Sequence, residues 1–346
     1  MIEDEQQMRK KFKRTQPNTI DTEGIVRNLL AGQLQALSKA ITLVESRGNV
    51  FRQQAEEILQ SILPHTGNSI RIGISGVPGA GKSTFIESMG LFLCELGHKV
   101  AVLAIDPSSS ISGGSILGDK TRMEELSRHP NAFIRPTPSD GKLGGVHRKT
   151  RESMMICEAA GYSIIIVETV GVGQSEAEVR DMVDFFLLLT LTGAGDELQG
   201  MKKGILELID GIAVNKADGE NEKRALQAKE EYRQILRDHT PATKGWEVTT
   251  FACSALNKMG LNEIWESILT FCEFTKSNGE FAKRRNQQIS KWFKNEVEQQ
   301  IIDHFYANQL VKGQLPIVEA RVREGEKLVS KAAAELFHLY FHSKDK

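Results

Sequence analysis

Residues 70–84 constrain this chain more than any other stretch: Ile-Arg-Ile-Gly-Ile-Ser-Gly-Val-Pro-Gly-Ala-Gly-Lys-Ser-Thr. A β-branched run (Ile70, Ile72, Ile74) leads into Gly76, four residues intervene, and Gly81-Lys82-Ser83 follow. From Phe85 to Leu96 the apolar residues recur at helical spacing. Strand, glycine-rich loop and helix, in that order, are the setting in which a Walker A sequence holds phosphate. Glycines let successive backbone N–H groups curl around an anion, and the opening turn of the helix adds its positive end. The expected phosphate cradle is Gly76, Val77, Pro78, Gly79, Ala80, Gly81, Lys82, Ser83 and Thr84. In such a cradle Lys82 reaches the β- and γ-phosphates and the Ser83 hydroxyl ligates Mg²⁺. The plain alternative is a strand–helix turn without a ligand.

Composition sets the outer bounds. A chain of 346 residues accommodates a nucleotide-binding core with extensions. Its 44 basic and 45 acidic residues nearly cancel, so no global field draws it to nucleic acid or to an anionic membrane. No apolar run approaches the roughly 20 residues of a membrane span. The start, Met1-Ile2-Glu3-Asp4-Glu5, lacks an apolar signal core, and no targeting segment is expected. Cys94, Cys157, Cys253 and Cys272 are scattered, the pattern of reduced, buried thiols, which predicts a cytoplasmic protein. The eight histidines are dispersed, which speaks against a structural zinc site.

Three regions follow from the patterning. Residues 1–66 form a helical N-terminal extension, charged at first and then apolar at Ile25, Leu29, Leu37, Ile41 and Val44, with breaks near Gly48 and at Pro64. Residues 67–278 form a core alternating strands with helices. Its strands are Ile70–Ser75, Val100–Ile105, Ala132–Arg135, Ser163–Val167, Asp184–Leu191, Gly211–Val214 and Glu247–Ala252. Several are apolar on both faces, which implies an α/β fold with a doubly wound, mostly parallel sheet and ligands at the carboxyl ends of its strands. Residues 279–346 form a C-terminal helical arm. One helix carries the stripe Ile289, Trp292, Phe293, Val297, Ile301, Phe305, and after Gly313 and Pro316 a second runs from Ile317 to about Phe341. Patterning leaves open whether this arm folds back on the core or joins two copies.

The other chemical constellations sit at strand ends. Asn215-Lys216-Ala217-Asp218 follows an apolar strand, where the Asp218 carboxylate can accept from guanine N1–H and N2–H₂, a donor pair that adenine lacks. GTP is therefore expected over ATP. Ser254, Ala255 and Leu256, after the next strand, sit where a backbone N–H can meet guanine O6. Glu168 ends Ile164-Ile165-Ile166-Val167, a Walker B position suited to Mg²⁺. Val172 follows Gly171, so the glutamine that small GTPases place there to orient water is missing, and slow intrinsic hydrolysis stimulated by a partner is expected. Asp106 opens Asp-Pro-Ser-Ser: it can serve Mg²⁺ or the attacking water, or cap a turn. Lys82, Asp106 and Glu168 are the candidate catalytic residues, and Ser83, Asp106 and Glu168 the candidate metal set. Asp119 can cap a following helix. The glycine-rich stretches Gly144-Gly145 and 192–197 are either nucleotide-sensitive switches or plain connections.

Taken together, 76–84, 106–109, 168–176 and 215–218 resemble the MeaB/ArgK/MMAA family, P-loop GTPases of the signal-recognition-particle/MinD class. The resemblance covers roughly residues 20–345. It implies a Mg²⁺- and GTP-dependent chaperone of an adenosylcobalamin-dependent acyl-CoA mutase, methylmalonyl-CoA mutase foremost, that gates cofactor loading and protects the mutase. It also implies switch roles for Asp119, Asp196 and Lys202, and a homodimer formed through the C-terminal helices. His147 departs from the small residue expected there. Two other readings are a kinase acting on an amino-acid transport component and a metal-insertion GTPase. The latter calls for Cys/His clusters that the sequence lacks.

Overall fold

A computed structural model of the chain describes residues 20–46, 49–106, 123–138, 143–169, 175–192, 203–237 and 239–342. Three helices lead in: α1 (Thr22–Leu30), α2 (Leu34–Glu45) and α3 (Asn49–Ile62). Asp21 caps the first, its carboxylate accepting from the Gly24 N–H at 2.8 Å. The core then runs β1 (Ile70–Gly76), α4 (Lys82–Glu95), β2 (Val100–Asp106), α5 (Glu124–Arg128), β3 (Ala132–Pro138), α6 (Leu143–Ala159), β4 (Ile164–Glu168), α7 (Ser175–Arg180) and β5 (Phe185–Thr190). It continues through α8 (Lys203–Leu206), β6 (Gly211–Val214), α9 (Glu222–Arg237), β7 (Thr249–Ala252) and α10 (Leu261–Ser277). The arm is α11 (Glu280–Ala307), α12 (Gln309–Arg323) and α13 (Val329–His342).

All strand pairs among the described residues are parallel, in the order β3-β2-β4-β1-β5-β6-β7. From β1 the chain crosses to β2 and out to β3, then returns to insert β4 between β2 and β1. It next runs outward through β5, β6 and β7, so the winding reverses beside β1 and leaves a crevice at its carboxyl edge. β4 and β5 are buried along their whole length because helices cover both faces of the sheet, and their apolar runs are continuous rather than alternating. One apolar layer joins α1–α3 and α6 to the sheet through Leu29, Leu37, Ile41, Ile58, Ile165 and Phe186. The other packs α4 and α10 against it through Phe85, Met89, Phe185, Ile264 and Phe271. All four cysteines lie within these layers. Burial pushes the Cys94 thiol up to about 11 and those of Cys253 and Cys272 up to about 12.

All seven strands expected from the sequence form, Gly211–Val214 unchanged and the others with ends moved by up to three residues. The C-terminal region differs from expectation. Gly313 and Pro316 both lie inside α12: the first break falls earlier, at Asn308, and a second, at residues 324–328, divides the helix expected from Ile317 to Phe341. Gly325 adopts φ 76°, and Glu326 N–H donates back to the Arg321 carbonyl at 2.9 Å. This left-handed glycine stop satisfies carbonyls that the helix end would leave bare, so it terminates the helix where the proline does not. Gly144 and Gly145, read as part of a loop, lie in the first turn of α6.

The first turns of α11 are fastened to the core. Arg285 straddles Asp184, with Nε to Oδ1 at 2.8 Å and a terminal nitrogen to Oδ2 at 2.7 Å, and also donates to the Ser69 carbonyl at 2.6 Å. Gln288 donates to the Val183 carbonyl at 2.8 Å. Farther along α11 the character reverses: Ile289, Phe293, Val297 and Ile301 are all exposed.

Candidate nucleotide site

The phosphate loop follows from its own residues. β1 ends between β4 and β5, and at Gly76 a Cβ would lie 2.4 Å from the Leu189 carbonyl oxygen, so only glycine lets the strand leave the sheet there. Gly79 and Gly81 take φ of 81° and 80°, a region that side chains resist. Gly81 is the N-cap of α4 and offers no side chain to the first-turn amides of Lys82, Ser83 and Thr84. Those amides sit at the positive end of a 14-residue helix, which suits them to an anion.

Lys82 Nζ donates to the Gly76 carbonyl at 2.8 Å and lies 3.4 Å from that of Val77, so the ammonium hangs across the mouth of the loop. Partial burial pushes its pKa below the ordinary lysine value, while Glu168 and then Glu176 favour the charged form. Ser83 Oγ and Glu168 Oε1 stand 3.4 Å apart. Glu168 closes β4 in register with Ile74 of β1 and Ala104 of β2, and Asp106 is the last residue of β2, two positions farther toward the same edge. The parallel register thus brings the ends of three strands to one rim.

The residues expected to read the base form the neighbouring rim. Asn215 is buried. Its Nδ2 donates to the Ala80 carbonyl of the phosphate loop at 2.8 Å, and its Oδ1 accepts from the Ala255 N–H at 3.1 Å. Cys253 Sγ adds a weak donor to the same Oδ1 at 3.7 Å. Lys216 adopts φ 60°, stabilised from the side by Asn221 Nδ2, which donates to its carbonyl at 2.7 Å. Ser254 Oγ donates to Asp218 Oδ2 at 2.5 Å and accepts from the Asn257 N–H at 3.1 Å. Leu256 stands exposed beside them.

Phosphate-loop and base-reading residues called from the sequence therefore lie on one connected edge. Asp119, Asp196, Lys202 and Gln174 lie outside the described residues. So does the side chain of Asp106, whose backbone alone is placed. Sequence reasoning passed over Asn221, which positions Lys216, and Ser88 of α4, whose hydroxyl donates to the Ala255 carbonyl at 2.7 Å. It also passed over Glu176, quoted only as part of a motif. Asn221 alone carried a signal, as an Asx residue three positions after Asp218.

The chain is similar over most of its length to known proteins. A family model described as methylmalonyl Co-A mutase-associated GTPase MeaB matches residues 37–310. GTPase ArgK of Escherichia coli is 46% identical over 284 residues, which is 82% of this chain and 86% of that protein. The mitochondrial methylmalonic aciduria type A homolog of Mus musculus is 43% identical over 315 residues, 88% of this chain and 76% of its own length. Among solved structures, that of LAO/AO transport system kinase is similar with a TM-score of 0.73 at 36% identity, spanning 94% of this chain and 99% of that one. By its fold, its phosphate loop and a family match over most of its length, this chain belongs to the MeaB family of methylmalonyl-CoA mutase-associated GTPases.

Proposed function

We propose that this GTPase serves as a chaperone of an adenosylcobalamin-dependent acyl-CoA mutase, with methylmalonyl-CoA mutase as the foremost partner, and that it acts in the cytoplasm as a homodimer. GTP binding and hydrolysis gate cofactor loading and protect the mutase. The observation that supports the reading is the Asn215 bridge, which ties the loop at Ala80 to the segment at Ala255, where Ser254 meets Asp218, the carboxylate assigned to guanine. The family description, naming a methylmalonyl Co-A mutase-associated GTPase, supports that choice of partner.

In this reading the amides of residues 79–84 and the Lys82 ammonium bind the phosphates, and Asp218 selects guanine. Ser83 and Glu168 are hard oxygen donors 3.4 Å apart, the chemistry that suits Mg²⁺, with Asp106 on the same rim. The metal supplies charge neutralisation at the phosphates when bound. Lys82 and Ser83 orient the triphosphate, while Glu168 holds the Ser83 hydroxyl toward it. Asp119, Asp196 and Lys202 are assigned to switch segments that report nucleotide state to the partner. The exposed stripe on α11 is assigned to the contact between two copies.

A second reading is suggested by the 36%-identical structure that is named a transport system kinase. One experiment separates them. Purified protein is incubated with GTP labelled at the γ-phosphate, with and without methylmalonyl-CoA mutase. Slow release of free phosphate, accelerated by the mutase, is expected. Label transferred to protein supports the kinase, and a rate indifferent to the mutase removes the chaperone reading.

A further inference from the structure

Lys216 adopts φ 60°, in the left-handed region where the Cβ of an L-residue crowds the following carbonyl. Among the described residues Lys258 alone shares that region outside the glycines. The result shows at the phosphate loop: a Cβ on Gly81 would lie 3.9 Å from Lys216 Cε, so the lysine stem crosses the loop there. Asn221 holds the turn in this shape. Its Nδ2 donates to the Lys216 carbonyl at 2.7 Å, and its backbone N–H donates to the Asp218 carbonyl at 3.0 Å. Its Oδ1 accepts from the hydroxyl of Thr192 at 2.8 Å, two residues past the end of β5. A carbonyl only accepts, so the amide nitrogen of Asn221 must face Lys216, and its oxygen is left to Thr192. One residue before α9, asparagine commonly caps the helix by accepting from first-turn amides. Here that oxygen takes the Thr192 hydroxyl instead, and the side chain ties the turn at 215–218 to the neighbouring strand end.

We propose that Asn221 is a positioning residue for guanine recognition in this GTPase: by holding Lys216 left-handed it keeps the lysine stem across the phosphate loop, where the stem lies along one face of the bound base, and sets the path of the chain into Asp218. The proposal rests on residues 76–84 and 215–218 being the guanine nucleotide site. Thr192 completes the device, because its hydroxyl occupies the Asn221 oxygen and so fixes which way the carboxamide points.

The test uses the full chain and its Asn221→Ala and Asn221→Asp variants, each alone and combined with Lys216→Gly. GDP affinity is measured by calorimetry with Mg²⁺ present, and GDP dissociation by chase with excess unlabelled nucleotide. Asn221→Ala should weaken GDP about fivefold, the worth of one net hydrogen bond, and the loss should appear as faster dissociation. Asn221→Asp should lose at least as much: a carboxylate cannot donate to the Lys216 carbonyl, although it caps a helix as well as asparagine does. Glycine takes the left-handed conformation without strain, so once Lys216→Gly is in place Asn221→Ala should cost a further factor of about two or less. Wild-type affinity in Asn221→Asp overturns the proposal and leaves Asn221 a helix cap, and wild-type affinity in Asn221→Ala overturns it outright. So do losses that multiply in full in the double variant, because the effect then does not run through Lys216. Should Asn221→Ala fail to fold, Asn221→Asp decides by the same criteria. A wild type that binds neither GTP nor GDP instead removes the nucleotide site itself.

Discussion

The side-chain amide of Asn215 donates to the carbonyl of Ala80 at 2.8 Å, a bond between segments 135 residues apart in the chain. Its other end accepts from Ala255, so one carboxamide ties the phosphate loop to the segment that follows β7. Asn215→Ala leaves the Ala80 carbonyl and the Ala255 amide without this partner. Guanine nucleotide affinity should fall about 30-fold or more, since two buried groups lose their bonds at about 1–3 kcal/mol each. Titration of GDP into the variant measures this, with circular dichroism as the control for folding.

Asp218→Asn should weaken GTP by about 100-fold or more and raise affinity for xanthosine triphosphate, because the variant amide can donate where the carboxylate only accepted. Ser254 donates to Asp218 Oδ2, so Ser254→Ala should show a milder loss of the same kind. Selectivity between the two bases that Asp218→Asn leaves unchanged would remove Asp218 as the base reader.

Lys82→Ala should abolish tight GTP binding while leaving the far-ultraviolet spectrum unaltered, since its ammonium bonds to the loop carbonyls of Gly76 and Val77 and no helix or strand depends on it. The wild-type amine has a pKa below the ordinary 10.5, principally through desolvation. A lowered pKa means that the neutral, nucleophilic amine appears at lower pH than in a free lysine. Competitive acylation of the nucleotide-free protein should therefore give Lys82 a titration midpoint below 10.5. Bound phosphate favours the charged form, so GTP should raise the midpoint and slow the labelling. A midpoint at or above that of surface lysines contradicts the placement.

Arg285→Ala should destabilise the protein by about 3 kcal/mol, the cost of stripping one member from a buried ion pair. Asp184 is left buried with one fewer cation. Urea unfolding of variant and wild type measures the difference. A loss under about 1 kcal/mol, typical of exposed pairs, would show that the root of α11 is not fastened as described.

Phe293→Glu with Ile301→Glu should convert a dimer to a monomer in light scattering after gel filtration and leave GDP affinity unchanged. Both side chains are exposed on α11 and lie eight residues apart, on one face of the helix. A mass that does not change, or a wild type that is already monomeric, sinks the proposed homodimer.

The parts of this molecule legible in its sequence are those governed by local periodicity. The run Ile164-Ile165-Ile166-Val167 reads as a buried parallel strand because both its faces meet helices, and so it does. The cradle at 76–84 is legible because glycine spacing itself sets the backbone path. Contacts between distant segments are not written that way. Ser88 reaches Ala255 only because α4 and the loop after β7 meet at one edge, and nothing around Ser88 announces it. Glu176 looks like any acid in the first turn of a short helix, and its burial follows only from how the helix packs. In the arm, Pro316 is a misleading stop, because a left-handed glycine with a returning hydrogen bond ends a helix more firmly than a proline that the helix can absorb.

The burial of Cys94, Cys157, Cys253 and Cys272 makes the native chain well suited to spectroscopic tagging. With those thiols shielded and resistant to ionisation, maleimides and nitroxide reagents should react first with any cysteine introduced on the surface. A single spin label on α13 and another on α9 could then report the distance between arm and core, nucleotide by nucleotide, with every natural residue of the interior left in place.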